Sequence, residues 1–450
     1  MEIINGIKIY SPREARRDFE NEYTVVINGK DTHLLYLDEK NKYVFGTKRS
    51  VGDLLSDSKV EPEKGKYEPM FNYCFSRADK YRGLICDPDK PQVKGNGRNP
   101  FNFWRGWSVT PAEGNIDPYL HLVREVICCG NEEHFQYLQA LIADMFQNPG
   151  DKPGVCIVLR GPEGNGKGMF ANILGSLMNP SHYFDTPSPN LLTGRFGGHF
   201  SGKLLVFADE AFWAGDKKGT GVLKSLITEK ELYVEPKYRE PIKILNLCHF
   251  ILVSNSDWIV PAGPRDRRYF VLDVNKDYEK DFEYFGSLDD WRKDEKNLAA
   301  ILHYFLNFEL SANNNIYLRN IPQTAALIEQ KIESADPIRK FWFEAVEDGE
   351  LFEKHKTQGF LLRKDIYKDY KDMCKDAGIT NRVPSGAFWT RTYKILPQIK
   401  NLTNARERKS LTVNGKKWKQ ESVVHLPTLD EAREAVSENF SLPPDHWDDK

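Results

Sequence analysis

Residues 155–178, VCIVLRGPEGNGKGMFANILGSLM, restrict the fold of this chain more than any other stretch. VCIVLR is apolar with no polar alternates, the pattern of a strand buried on both faces, as in parallel sheets. MFANILGSLM spaces its apolar residues for a helix. Between them, Gly161 to Gly168 read GPEGNGKG. A Gly-rich turn between a buried strand and a helix N-terminus traps anions, because backbone N–H groups converge there and the helix dipole favours negative charge. Gly161, Gly166 and Lys167 fall in register with the phosphate-binding pattern G-x-x-x-x-G-K, but Gly168 stands where that pattern puts a Ser or Thr hydroxyl on Mg²⁺. Gly161, Pro162, Glu163, Gly164, Asn165, Gly166, Lys167, Gly168 and Met169 are the candidate cradle for the phosphates of ATP, with Lys167 reaching the β- and γ-phosphates. The missing hydroxyl removes one Mg²⁺ ligand, and Mg²⁺ readily keeps a water instead.

Three more apolar runs follow: KLLVFADE (203–210), HFILVSN (249–255) and RRYFVLDV (267–274). Strand, loop, helix and further buried strands predict an α/β fold with a parallel sheet. An acidic pair ending a buried strand is costly unless used. Asp209 is the candidate Mg²⁺ ligand and Glu210 the group that polarises the attacking water. Asn255, ending its own strand, is placed to orient that water and sense the γ-phosphate. Taken singly, Asp209 reads as a helix cap and Asn255 as a turn former; in this order, function outweighs those readings. Arg265, Arg267 and Arg268 crowd the turn before the last strand, either as a solvated loop or as an arginine finger for phosphoryl transfer. A finger that serves a neighbouring subunit requires a ring.

At 450 residues the chain has room for several domains. A net charge of −2 confines any nucleic-acid surface to a patch. No apolar run approaches the ~18–20 residues of a membrane span, and the N-terminus lacks the layout of a signal peptide. Seven scattered cysteines without a C-x-x-C indicate neither a zinc ribbon nor a disulfide framework, and predict a reduced, cytoplasmic protein. The expected organisation is an N-terminal α+β region (1–115), a helical lead-in and oligomerising collar (116–150), the ATPase core (151–275), a helical segment (276–340), a basic unit (341–426) and an acidic tail (427–450), read as a helix followed by a flexible end. The aromatic stripe FNFWRGWSV at 101–109 reads as packing, and Asp87-Pro88-Asp89 as a surface turn; no primase or polymerase centre is recognised.

In the basic unit, DIYKDYKDMCKDAG has a helical stripe, a second helix is expected near Ser385, and RERKSLTVNGKKWKQESVVHL suggests a two-stranded wing turning at Asn414-Gly415. Helix, helix, wing is the winged-helix pattern. Arg406, Arg408, Lys409, Lys416 and Lys417, with Trp389 and Trp418 interleaved, are the candidate DNA-backbone contacts.

The loop, the acidic pair, Asn255 and the arginine turn, in this order, resemble the superfamily 3 helicases of viruses, phages and plasmids. The stretch WRGW and then REVICCGNEEHFQYLQALIADMFQNPGDKPGVCIVLRGPEGNGKG is similar to the helicase modules attached to phage and plasmid primases, including poxvirus-type primase-helicases and a deep-sea vent phage primase-polymerase. The resemblance implies an AAA+-like P-loop ATPase core, hexameric rings, ATP and Mg²⁺, single-stranded and forked duplex DNA as partners, and a primase or polymerase nearby. It also implies that Gly168 is a recurrent variant compatible with hydrolysis. By the same resemblance LKSLITEKELYVEPKYREPIKI holds a β-hairpin whose tip offers Lys237, Tyr238 and Arg239 to DNA, Lys224 occupies a recurrent Leu-Lys position, and Arg268, then Arg267, match the trans-acting finger. The competing expectation is a nucleotide-gated initiator or scaffold that binds DNA without separating strands, which Gly168 favours.

Overall fold

The computed structural model describes the chain apart from residues 5, 29–30, 40–41, 188–199, 211–216, 235–241, 312–313, 402–409, 414–415, 420–422 and 449–450. It divides into two compact units: Met1–Ala211 with Asp216–Asn255 and Asp273–Asn320, and Phe212–Gly215 with Ser256–Leu272 and Ile321–Lys450.

At the centre of the first unit, four consecutive strands of a parallel sheet, β1 (Cys156–Arg160), β2 (Tyr183–Thr186), β3 (Leu205–Ala208) and β4 (His249–Ser254), lie in the order β2-β3-β4-β1. The register sets Phe184 beside Val206, Val206 beside Phe250 and Val158 beside Leu252. Every residue of β3 and β4 is buried, which is why their sequences carry no polar alternates. The helix after the Gly-rich loop, α1 (Lys167–Leu177), buries Phe170, Ala171, Ile173, Leu174 and Leu177, a stripe at helical spacing. All three strands that end near this loop point their C-terminal ends the same way, the side on which parallel sheets collect ligands.

The N-terminal hundred residues contribute two small four-stranded sheets with short helices. Asp87-Pro88-Asp89 is a turn, with the Asp89 N–H donating to Asp87 Oδ1 at 3.1 Å. The aromatic stripe packs: Phe101 is buried, Trp104 stacks on His182 at 4.5 Å, and Trp107 meets Phe146 at 4.9 Å. Helix Glu132–Gln147 starts at Asn131, whose side chain accepts the His134 N–H, and two acids in its first turn complement its dipole. Eleven of its sixteen residues are buried, and Phe146 stacks on Phe305. The apolar surface read as an oligomerising collar is thus spent inside its own unit.

His182 makes the first unit sensitive to acid. Its Nδ1 lies 2.7 Å from the Gly202 carbonyl and its Nε2 accepts the Arg105 N–H at 2.9 Å, an arrangement that requires the neutral ring. Burial pulls the imidazole down to about 4, and burial does the same to His249. Below the unfolded value of 6.5 the unfolded chain binds protons that the folded chain refuses, so stability is full above that pH and falls as pH drops towards 4. Each ring accounts for up to about 3 kcal/mol. The Tm of the first unit is expected to drop through this window, and His182→Gln to flatten part of the drop; a flat Tm profile in the wild type would contradict it.

The second unit is helical around a core of Phe341, Trp342, Tyr370, Phe388 and Trp389. Helix Arg363–Asp376 precedes helix Ser385–Ile395, and the ribbon Ser410–Val413 with Lys416–Lys419 follows. Trp389 is 2% exposed, with the Arg363 guanidinium over its ring at 4.7 Å. Its reading as a DNA-facing aromatic is corrected: it faces the core on the buried side of its helix. The helix expected in the acidic tail is present. Helix Leu429–Phe440 begins with a Thr428/Glu431 capping box, buries Ala432, Ala435, Val436 and Phe440, and is followed by Trp447, which packs on Phe343 at 5.6 Å. The Phe440 carbonyl accepts from the buried Lys331 ammonium at 2.9 Å. Leu442 and Trp447, in the stretch expected to be a flexible end, also pack on this core.

Candidate functional site

The C-terminal ends of β1, β3 and β4 open into a cleft of about 740 Å³. Its lining includes Glu163 to Met169 from the loop and first helical turn, Asp209 and Glu210 from the end of β3, and Asn255 just after β4. These residues span more than ninety positions and meet because parallel strands carry their ends to one edge.

The loop is shaped by close approach. A Cβ at Gly161 would come within 2.5 Å of Asn165 Nδ2, and one at Gly166 within 2.6 Å of the Phe285 ring. Gly164 and Gly166 have φ of +75° and +90°, in the left-handed region that glycine enters freely. Gly166 caps α1 without a side-chain bond, leaving the helix's first N–H groups for an anion. Gly168 is different, because a Cβ there would meet nothing within 4 Å.

Lys167 donates to the carbonyls of Gly161 at 2.7 Å and Pro162 at 2.6 Å and to Asn165 Oδ1 at 2.9 Å. All three acceptors are neutral and belong to the loop itself. Burial lowers its pKa, and Asp209 and then Glu163 oppose that shift. An ammonium held in this way gains from an approaching polyphosphate. Asn165 is buried, and its Nδ2 has no hydrogen-bond partner. Asp209 is fixed through its own N–H to the Thr186 carbonyl at 3.1 Å, and its Oδ1 accepts the Glu210 N–H at 2.9 Å. Glu210 has a φ of +52°, a conformation that costs a residue with a Cβ roughly 1–2 kcal/mol. One ammonium, two carboxylates and a side-chain amide around an open helix N-terminus suit a polyphosphate with a divalent cation. Asp209 and Glu210 are the groups that would hold the metal and its waters.

The cleft's other wall was not legible in the motifs. Helix α2 (Phe282–Arg292) adds Phe282, Phe285, Asp289 and Arg292, and α1 adds Asn172. Arg292 Nε donates to Asp289 Oδ1 at 2.8 Å. The available signal was weak: aromatic and charged residues at helical spacing read as an ordinary surface helix.

Other candidates fall elsewhere. Arg268 lies in the second unit, where its Nη1 pairs with the buried Asp266 carboxylate at 3.0 Å, while Arg265 and Arg267 are exposed. Lys224 sits half-buried on helix Lys217–Thr228. Strands Glu231–Val234 and Ile242–Leu245 pair antiparallel around residues 235–241; Lys237, Tyr238 and Arg239 lie outside the described residues, as do Arg406, Arg408 and Lys409. Lys416 and Lys417 stand opposite Val413 and Thr412 in the ribbon. Among the described residues no helix is long and apolar enough to cross a membrane.

Residues 159–268, which hold the loop, the acidic pair, Asn255 and the arginine turn, match a family of unknown function, DUF5906. Over 262 residues, 56% of the chain, the sequence is 23% identical to a DNA primase-polymerase of Nitratiruptor phage NrS-1; the match spans 35% of that protein. The fold is that of the NrS-1 C-terminal region. Its apo structure superposes with a TM-score of 0.61 at 15% identity, covering 92% of this chain and 99% of that one. A second apo form gives 0.59 at 16% identity, covering 93% and 100%. The resemblance to a phage primase-polymerase read from the motifs is found again in both sequence and fold.

Proposed function

We propose that this chain is the ATP-driven helicase module of a phage or mobile-element replication system, an AAA+-like P-loop ATPase of the superfamily 3 type. The observation that carries the reading is the meeting of Lys167, Asp209, Glu210 and Asn255 in one cleft at the ends of parallel strands. Lys167 and the loop N–H groups bind the phosphates of ATP, and Asp209 positions Mg²⁺. Glu210 polarises the attacking water, and Asn255 orients it against the γ-phosphate. Arg268, braced by Asp266, or its exposed neighbour Arg267, serves the site of an adjacent subunit in a hexameric ring. Lys237, Tyr238 and Arg239 at the hairpin tip, with Lys224, track single-stranded DNA. The helix-helix-ribbon unit is a winged helix whose Arg406, Arg408, Lys409, Lys416 and Lys417 contact the DNA backbone. The similarity to a primase-polymerase supports a primase or polymerase as working partner, in the cytoplasm of the host.

Steady-state ATP hydrolysis with Mg²⁺, measured with and without single-stranded DNA and beside strand separation on a fork, tests this. DNA-stimulated turnover is expected. Tight nucleotide binding without turnover would replace the motor by a nucleotide-gated DNA-binding scaffold, the second reading, which Gly168 favours by withholding a metal ligand.

Gly168→Ser separates these readings further. The open space at this position admits a side chain, and replacing glycine in the first turn of α1 relieves up to about 1 kcal/mol of conformational cost. With an added hydroxyl near the metal, half-saturation of hydrolysis by Mg²⁺ is expected at several-fold lower concentration with kcat little changed. A variant with the wild-type Mg²⁺ dependence would show that position 168 lies outside the metal's coordination sphere.

A further inference from the structure

Phe282 is 80% exposed, the most exposed large apolar side chain among the described residues, and it stands on the wall of the cleft that holds Lys167, Asp209 and Glu210. Its backbone is pinned. The Lys280 N–H donates to the Gly164 carbonyl of the phosphate loop at 3.0 Å, and the Phe282 N–H donates to the Lys280 carbonyl at 2.8 Å. Asp281 caps α2 by accepting the Tyr284 N–H at 3.0 Å. One turn later Phe285 lays its ring against Gly166, two residues further along the same loop. Two phenylalanines three residues apart therefore serve the loop differently: Phe285 fills space against it, while the ring of Phe282 has no aromatic partner and faces solvent.

Of the other apolar lining residues, Val253 is buried in its strand, Phe285 is packed on Gly166 and Met169 is half-buried, so Phe282 is the exposed aromatic of the cleft. Glu163, Asn165, Lys167, Asp209, Glu210 and Asn255 are polar or charged. A base needs a flat apolar surface, and an exposed phenyl ring tethered to the phosphate loop supplies one. We propose that Phe282 is the stacking platform for the base of the bound nucleotide, and that this site reads the base by its π-face and not by its edge. The carboxylate best placed on this wall to read an edge is already engaged, since Asp289 accepts from Arg292 at 2.6 Å and from Lys293 at 2.7 Å. Stacking alone is tolerant of base identity, so the site takes all four nucleoside triphosphates, purines ahead of pyrimidines by their larger ring area. This inference rests on the nucleotide-binding reading given above.

The test is calorimetric binding of Mg²⁺ complexes of ATP, GTP, CTP, UTP and inorganic tripolyphosphate to the full chain. It compares the wild type with Phe282→Ala, Phe282→Trp and Lys167→Ala. Phe282→Ala is expected to weaken ATP roughly ten-fold or more while leaving tripolyphosphate unchanged, and Phe282→Trp to restore ATP. Lys167→Ala weakens both. ATP binding that depends on Lys167 but is the same in Phe282→Ala overturns the stacking role and leaves the nucleotide site standing. A preference for one base that survives Phe282→Ala overturns the tolerance. ATP and tripolyphosphate binding that is absent, or indifferent to Lys167, overturns the nucleotide reading and this inference with it. Because Phe282 is so exposed, its loss removes little packing, and an unchanged circular dichroism spectrum checks that.

Discussion

Glu210→Gln is expected to bind ATP within about two-fold of wild type and to hydrolyse it at least roughly a hundred-fold more slowly, the scale of losing one positioned general base. The substitution keeps the size of the side chain and its backbone demands, so the left-handed φ at this position is preserved. What it removes is the negative charge that, in the proposed mechanism, polarises water next to Mg²⁺ at Asp209. Lys167→Ala makes the necessary contrast. The ammonium bridges two loop carbonyls and the Asn165 amide, so its loss removes the proposed phosphate ligand and loosens the loop, and binding and turnover are expected to fall together. Measured side by side in equilibrium binding and steady-state turnover, the two variants separate chemistry from affinity. Unchanged turnover in Glu210→Gln would remove the acidic pair from the mechanism.

The largest effect on stability is expected in the second unit, at Trp342. Its indole is fully buried, and its Nε1–H donates to Thr392 Oγ1 at 2.9 Å, itself buried on helix Ser385–Ile395. Trp342→Ala opens a large cavity and strands the Thr392 hydroxyl, at a cost of about 3–5 kcal/mol. Trp342→Phe keeps most of the volume and loses the hydrogen bond, for roughly 1–2 kcal/mol. Hydrogen exchange across Ser385–Ile395 reads this locally: protection there should collapse in the alanine variant and weaken modestly in the phenylalanine one. Protection unchanged by Trp342→Ala would mean that this core is not what orders the helix.

The parts of the site legible in the sequence were those written in consecutive residues. Strand, loop and helix around Lys167 are specified by local chemistry: an apolar run too continuous to face water, glycines where φ is positive, and a lysine at the head of the helix. The acidic pair and Asn255 were legible for the same reason, since each ends a run that a parallel sheet must bury. The lining residues of α2 were not, because Phe282 and Arg292 reach the loop across more than a hundred residues and their spacing matches that of any surface helix. Composition misled at two places. Trp389 lies among basic residues yet faces inward, and the stretch after the tail's helix, read as a flexible end, packs through Trp447 on Phe343.

By itself, then, the sequence determined the Gly-rich loop between buried strand and helix and the parallel sheet that carries it, because both follow from φ preferences and burial patterns within a few residues. Only the tertiary structure decided that an exposed phenyl ring stands on the wall of the cleft at that loop, that Arg268 is braced by Asp266, and that the last helix completes a core. Those are long-range pairings, and periodicity along a chain shows which face of an element seeks burial without showing what it will meet.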